Sequence, residues 1–216
     1  MGCKISWTGQ RKIEITGCKD FKSTKYKIMF DRIEAGTYII ASAITQGKVL
    51  IKNVNARIMK NEIEIFKKIG IKMMNSKNSI KILPNKRFRN INIKTAPYPG
   101  FPTDLQAQTM VLMSLGEGTS KITESIFENR FMHVSELNRM GANIFIKSNM
   151  AEIQGVKSLK AAELMATDLR ASVSLVLAGL LAKETTIINR IYHLDRGYLN
   201  LEKKLSRCGA DIKRIG

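Results

Sequence analysis

Only two histidines, three cysteines and one tryptophan occur in 216 residues. The cysteines, Cys3, Cys18 and Cys208, are odd in number and far apart, with no CxxC spacing and no histidine-rich neighbourhood, which argues against a disulfide frame and against a zinc site. Reduced, structural thiols are the expectation, with Cys208 packed as a small hydrophobe ahead of a glycine. No run reaches the roughly 20 uncharged apolar residues of a spanning helix, and Met1-Gly2-Cys3-Lys4-Ile5 lacks the apolar stretch of a signal peptide. A cytoplasmic chain with no membrane partner is expected. Also missing are GxxxxGK[ST], GxGxxG after a strand, HExxH and GxSxG, so nucleotide-hydrolase, dehydrogenase, metalloprotease and serine-hydrolase readings have no support.

Aromatic residues make up 6% of the chain, too few for interleaved base-stacking platforms. Acidic residues are also scarce: 18 against 36 basic ones, a net charge of +18. The lysines are scattered through every segment among Ile and Asn, so the charge reads as compositional drift and not as a dedicated nucleic-acid surface. A site for small phosphorylated substrates would profit from the same excess.

What is present is repetition. Thr103-Asp104-Leu105-Gln106-Ala107-Gln108 returns as Thr167-Asp168-Leu169-Arg170-Ala171-Ser172, each opening a long apolar helix, and an arginine follows each in register, Arg130 and Arg196. The period is roughly 65 to 70 residues, longer than that of a solenoid repeat, so three copies imply a closed threefold domain. Each copy has an apolar helix (35–44, 105–115, 169–181), a short strand (48–52, 121–123, 185–188) and a second, amphipathic helix stopped by Gly70, Gly141 or Gly209. The second helix is expected to carry Ile58, Ile65, Phe66 and Ile69 in the first copy and Phe131, Val134, Leu137 and Met140 in the second. In the third it carries Leu194, Tyr198, Leu201, Leu205 and Cys208. Strands are expected again at 71–73, 141–144 and 209–212.

A helix apolar nearly all round must be buried on all sides. The fold expected is α/β, an inside-out α/β barrel of three repeated units with buried central helices and the amphipathic helices outside. The repeats would span about 28–90, 91–157 and 158–216. Residues 1–27 fall outside the pattern: 4–6 and 11–15 read as two strands, which cannot fold alone, and 22–27 as a connector.

An Asp at a helix start has a bland reading, capping of free backbone N–H groups, and for Asp168 both readings stay open. Asp104 differs because Pro97-Tyr98-Pro99-Gly100-Phe101-Pro102 leads into it; three prolines fix where the carboxylate points, as suits a general base or an acceptor for a substrate hydroxyl. Arg130 and Arg196 have acidic neighbours, Glu128 and Asp195, but stand at turns entering helices, where an anion would find a guanidinium fork and free N–H donors together. His133 and His193, with no visible partner, are read as structural.

These segments, with Phe127-Glu128-Asn129-Arg130-Phe131-Met132-His133 and Ile191-Tyr192-His193-Leu194-Asp195-Arg196-Gly197-Tyr198, resemble the UDP-N-acetylglucosamine enolpyruvyl transferase (1-carboxyvinyltransferase) family, and the similarity runs through the whole chain while covering only the C-terminal half of such an enzyme. The resemblance implies two inside-out α/β barrels that close on phosphoenolpyruvate and the UDP-sugar, in the first committed step of peptidoglycan synthesis. Residues 1–27 would be terminal strands of an otherwise missing catalytic-loop domain. Asp104 would meet the attacking 3-hydroxyl and Ile126 would offer its backbone carbonyl to the UDP-sugar. Arg130 would orient the site, Asp168 and Arg170 would line the cleft, and Arg196 would bind phosphoenolpyruvate. No cofactor or metal is implied. None of the cysteines matches the family's mobile loop. The reading is of a half enzyme from a split or truncated gene, inactive without a complementary N-terminal half. A shikimate-pathway transferase, a non-catalytic basic binding protein and a decayed gene product are the alternatives.

Overall fold

The computed structural model describes residues 1–9 and 12–215. They form two compact units, Met1–Phe30 and Asp31–Gly216. The first unit is an antiparallel hairpin, β1 (Lys4–Gly9) with β2 (Lys12–Thr16), paired from Lys4 with Thr16 to Gly9 with Lys12, and a non-regular tail. Arg11, expected to open the second strand, lies outside the described residues.

In the second unit the three apolar segments are α1 (Arg32–Ile44), α3 (Gln106–Ser114) and α5 (Leu169–Gly179). All nine residues of α3 are buried, and α3 packs against both α1 and α5. Each Leu or Ile buried this way contributes about 1.5–3 kcal/mol, which is why segments with no polar face gather in the centre. Close approach is built in at Gly36, where a Cβ would stand 2.6 Å from a Leu105 methyl.

Each repeat contributes its own sheet. β3 (Val49–Lys52), β4 (Met73–Asn75) and β5 (Ser79–Ile82) form an antiparallel sheet ordered β3-β5-β4. The second sheet, ordered β6-β7-β9-β8, contains β6 (Ile93–Lys94), β7 (Thr119–Thr123), β8 (Asn143–Lys147) and β9 (Met150–Gln154). The third is a parallel pair, β10 (Glu163–Met165) with β11 (Ile187–Asn189). The amphipathic helices are α2 (Lys60–Ile69), α4 (His133–Arg139) and α6 (Leu201–Arg207).

Several expected boundaries move. Ile58 precedes α2, because Asn55 to Met59 form successive turns in which the Ile58 and Met59 N–H groups donate to Asn55 and Ala56. The strand expected at 71–73 begins at Met73, where pairing with Ile82 starts. Phe131 likewise lies in the turn before α4. The single helix expected over Leu194 to Cys208 is a 3-10 helix, Ile191–Arg196, and then α6. Gly197 breaks it, with a hypothetical Cβ 2.9 Å from Leu169, and Asn200, in the left-handed region at φ 49, restarts it. Gly209 ends α6 at φ +98, but no strand follows in 210–215, which pair with no strand among the described residues. Cys208 is exposed, because α6 turns Leu201 and Leu205 inward instead.

Candidate active site

The lead-in to Asp104 is a closed turn. The Ala96 N–H donates to Phe101 O (2.9 Å), the Gly100 N–H to Pro97 O (2.7 Å) and the Asn61 side chain to Pro99 O (2.9 Å), while the Tyr98–Pro99 peptide is cis. Gly100 is required here, since a Cβ would stand 2.9 Å from Pro97 O. The chain then enters a 3-10 turn, Thr103–Leu105, ahead of α3.

The two repeated aspartates part company at this point. Asp168 caps α5, its Oδ1 accepting from the N–H groups of Arg170 (2.7 Å) and Ala171 (2.9 Å). Asp104 caps nothing. Its Oδ1 accepts from Arg130 Nη2 at 2.8 Å and its Oδ2 faces Arg170 Nη2 at 3.2 Å, so two guanidinium groups bracket one carboxylate. The three side chains are 37%, 22% and 16% exposed respectively, an edge-of-protein setting that a solute can reach.

Both arginines are positioned from behind. Arg130 follows Asn129, in the left-handed region at φ 53, and its guanidinium lies 4.7 Å from the centre of the Phe127 ring. Arg170 lies 3.4 Å from the Tyr198 hydroxyl, which meets Thr37 Oγ1 at 2.8 Å and accepts from Gln108 Nε2 at 3.3 Å. Gln108 Nε2 also donates to Thr37 Oγ1 (3.1 Å) and to the Asp104 carbonyl (3.0 Å). Burial pushes the Tyr198 hydroxyl above the usual phenol range. One residue from each central helix, Thr37, Gln108 and Arg170, thus converges on a single tyrosine.

The segment holding Ile126 hangs on Glu124, which is 2% exposed. Its carboxylate accepts from Thr95 Oγ1 (2.7 Å), Thr103 Oγ1 (2.7 Å) and the N–H groups of Ile126 (2.8 Å) and Phe127 (3.3 Å). Glu124 therefore ties the residue before Asp104 to the loop that carries Phe127 and Arg130. The Ile126 carbonyl accepts no hydrogen bond among the described residues.

Of the residues singled out in sequence, Asp104, Arg130 and Arg170 stand in contact, with Arg130 against Asp104 and not against its chain neighbour Glu128. Arg196 is not in hydrogen-bonding contact with them: it is exposed, at the end of the 3-10 helix two residues before Tyr198, and has no ion pair among the described residues. Its neighbour Asp195 pairs with Arg214 (2.6 Å). His133 is 2% exposed, its Nε2 has no partner, and burial pushes its imidazole down to about 4, against a smaller upward pull from Asp168. His193 stacks on Tyr192, with ring centres 4.2 Å apart. The residues whose part in the site was missed in sequence are Glu124, Tyr198, Thr37 and Gln108, and no local pattern marks them.

The sequence profile of the EPSP synthase (3-phosphoshikimate 1-carboxyvinyltransferase) family matches residues 1–205. The chain belongs to this family. Among curated relatives, the UDP-N-acetylglucosamine 1-carboxyvinyltransferase of Pelagibacter ubique (strain HTCC1062) is 59% identical over 215 residues, which cover 100% of this chain and 52% of that protein. Its counterpart in Rickettsia bellii (strain OSU 85-389) is 52% identical, with 51% of its length covered. The chain spans about half the length of the curated relatives it matches. Among solved structures, the enolpyruvyl transferase NikO from Streptomyces tendae aligns with a TM-score of 0.89 at 24% identity, over 98% of this chain and 51% of that one. EPSP synthase from Acinetobacter baumannii aligns at 0.75 and 17%, over 99% of this chain and 53% of that one. These two likenesses establish the enolpyruvyl transferase fold for the chain. No helix among the described residues is long and apolar enough to cross a membrane.

Proposed function

We propose that this chain supplies the sugar-hydroxyl side of a UDP-N-acetylglucosamine 1-carboxyvinyltransferase, which moves the enolpyruvyl group of phosphoenolpyruvate to the sugar 3-hydroxyl with release of phosphate, in peptidoglycan synthesis. The observation that carries this reading is the Asp104 carboxylate bracketed by Arg130 and Arg170 at the mouth of a central helix. A carboxylate has about four lone-pair directions, and the two arginines occupy one on each oxygen, so acceptor capacity remains for a substrate hydroxyl. Asp104 takes the proton of the attacking hydroxyl or anchors it. Ile126 offers its unengaged carbonyl to the UDP-sugar, Arg130 orients the site, and Asp168 and Arg170 line the cleft. Arg196, exposed and without an ion pair among the described residues, takes the phosphoenolpyruvate anion.

Protonation of the methylene carbon and part of the phosphate binding fall to a complementary N-terminal half. Phosphate release from the two substrates is measured with the purified chain, then with an N-terminal half expressed separately from a relative. Turnover is expected only in the mixture, and Asp104→Asn lowers it by about 100-fold or more. Full turnover by the chain alone refutes the dependence on a second half. A mixture that forms a complex but neither binds UDP-N-acetylglucosamine nor turns over refutes the substrate assignment.

A further inference from the structure

The sequence spacing of the cysteines hides a pair. Past the last strand pairing, Lys4 with Thr16, the chain continues into Cys3 on one side and Gly17-Cys18 on the other. Beyond the strand ends the pleat no longer sends successive side chains to opposite faces, and the two sulfurs meet 2.8 Å apart. The Lys22 N–H donates to Met1 O at 3.0 Å, which keeps the segment after Cys18 folded back on the segment before Cys3. Both residues are half-buried free thiols, with partial solvent access; Cys208, also free, is exposed in the other unit.

We propose that Cys3 and Cys18 are a thiol-exchange site, forming a reversible intrachain disulfide that closes the open end of the β1–β2 hairpin. A bonded S–S distance is about 2.05 Å, so a shift of under about 1 Å in side chains at loop positions makes the link. The oxidant is a low-molecular-weight disulfide, RSSR. The thiolate of one cysteine attacks it, the R–S–S–R bond breaks, and RS⁻ leaves with the proton that the cysteine gave up, as RSH. The second cysteine, ionised in turn, attacks the protein-side sulfur of the mixed disulfide and expels the second RS⁻, again as RSH. Two protein thiols are oxidised to one disulfide and one RSSR is reduced to two RSH.

The consequence is local. A two-stranded hairpin is marginal by itself, and this one exposes Ile5, Trp7, Ile13 and Ile15. A link between positions 3 and 18 restricts the unfolded ensemble of this segment. The site is independent of the proposed enzymatic role, because no residue of the Asp104 cluster takes part.

The full chain is equilibrated with mixtures of reduced and oxidised glutathione, quenched in acid and mapped by peptide mass spectrometry, with Cys208 as internal reference. The expected result is a Cys3–Cys18 cross-linked peptide lighter by two hydrogens, formed at a redox ratio at least about tenfold more reducing than the one that modifies Cys208, and reversed by reduced glutathione. In Cys18→Ser, Cys3 should instead stop at the mixed disulfide. Equal glutathione loading of Cys3, Cys18 and Cys208 with no cross-linked peptide would overturn the proposal, as would a link from either cysteine to Cys208.

Discussion

Removing the Asp104 carboxylate by Asp104→Ala leaves Arg130 and Arg170 facing one another with no counter-charge between them. Breaking one side of a buried ion pair costs about 3–5 kcal/mol, whereas exposed pairs are worth about 0–1 kcal/mol. Exposures of 37%, 22% and 16% put this cluster between those limits, and solvent screening lowers the cost to about 1–2 kcal/mol. For a unit of this size each kcal/mol moves Tm by about 2–4 °C, so a fall of about 2–8 °C is expected at low ionic strength. All the helices among the described residues belong to Asp31–Gly216. Helical circular dichroism during thermal unfolding therefore reports on the unit that holds the site. The deficit should shrink in about 1 M salt, where the screening length is about 3 Å and the repulsion between the two arginines is masked. A double-mutant cycle with Arg130→Gln should give a coupling of at least about 0.5 kcal/mol. A variant as stable as the parent at low salt, with no coupling, would show that the arginines do not need this carboxylate, and the bracketed-site reasoning would fail.

Stability should also depend on pH through His133. Its imidazole is held at about 4 in the folded chain against 6.5 as the ordinary value, so between those limits the unfolded chain binds a proton that the folded one refuses. Stability contributed by the neutral ring is thus complete above 6.5 and is lost as pH falls toward 4, by on the order of 3 kcal/mol; urea unfolding of His133→Phe should show a flatter profile across that window, and an unchanged slope would contradict the account. Tyr198→Phe removes the hydroxyl that joins Thr37, Gln108 and Arg170, and should lower stability in denaturant titration by about 1–2 kcal/mol; no loss would mean that the three groups find other partners. Glu62→Gln breaks the ion pair from a 1% exposed carboxylate to Arg32, which is 23% exposed, and calorimetry should record a loss of about 2–3 kcal/mol.

Much of this site was legible because repetition marks it. Two copies of one peptide, each followed by an arginine, single out Asp104 and Arg130, which meet, and equally Asp168 and Arg196, which stand outside that contact. The difference between the two aspartates was legible only in part: three prolines set Asp104 apart, but Asp168 is the extended residue that closes its own helix, whereas Asp104 lies inside the 3-10 turn Thr103–Leu105 and turns to two guanidinium groups. Glu124 and Tyr198 could not be read, since nothing in a local pattern says that a buried carboxylate will gather Thr95 and Thr103 or that a tyrosine will collect one residue from each of three helices.

The apolar periodicity determined the three central helices, because a segment without a polar face has nowhere stable to lie except inside; the glycine stops followed from a left-handed backbone that side chains resist. Which strands formed was decided only by tertiary pairing: 209–212 matches 141–144 at three of four positions, yet of the two only the stretch from Asn143 finds a neighbour and becomes a strand. The same holds for Cys3 and Cys18, fifteen positions apart and brought together by the hairpin between them. Local propensity sets what a segment can be, and long-range contacts, paid for in chain entropy, select which of those options is realised.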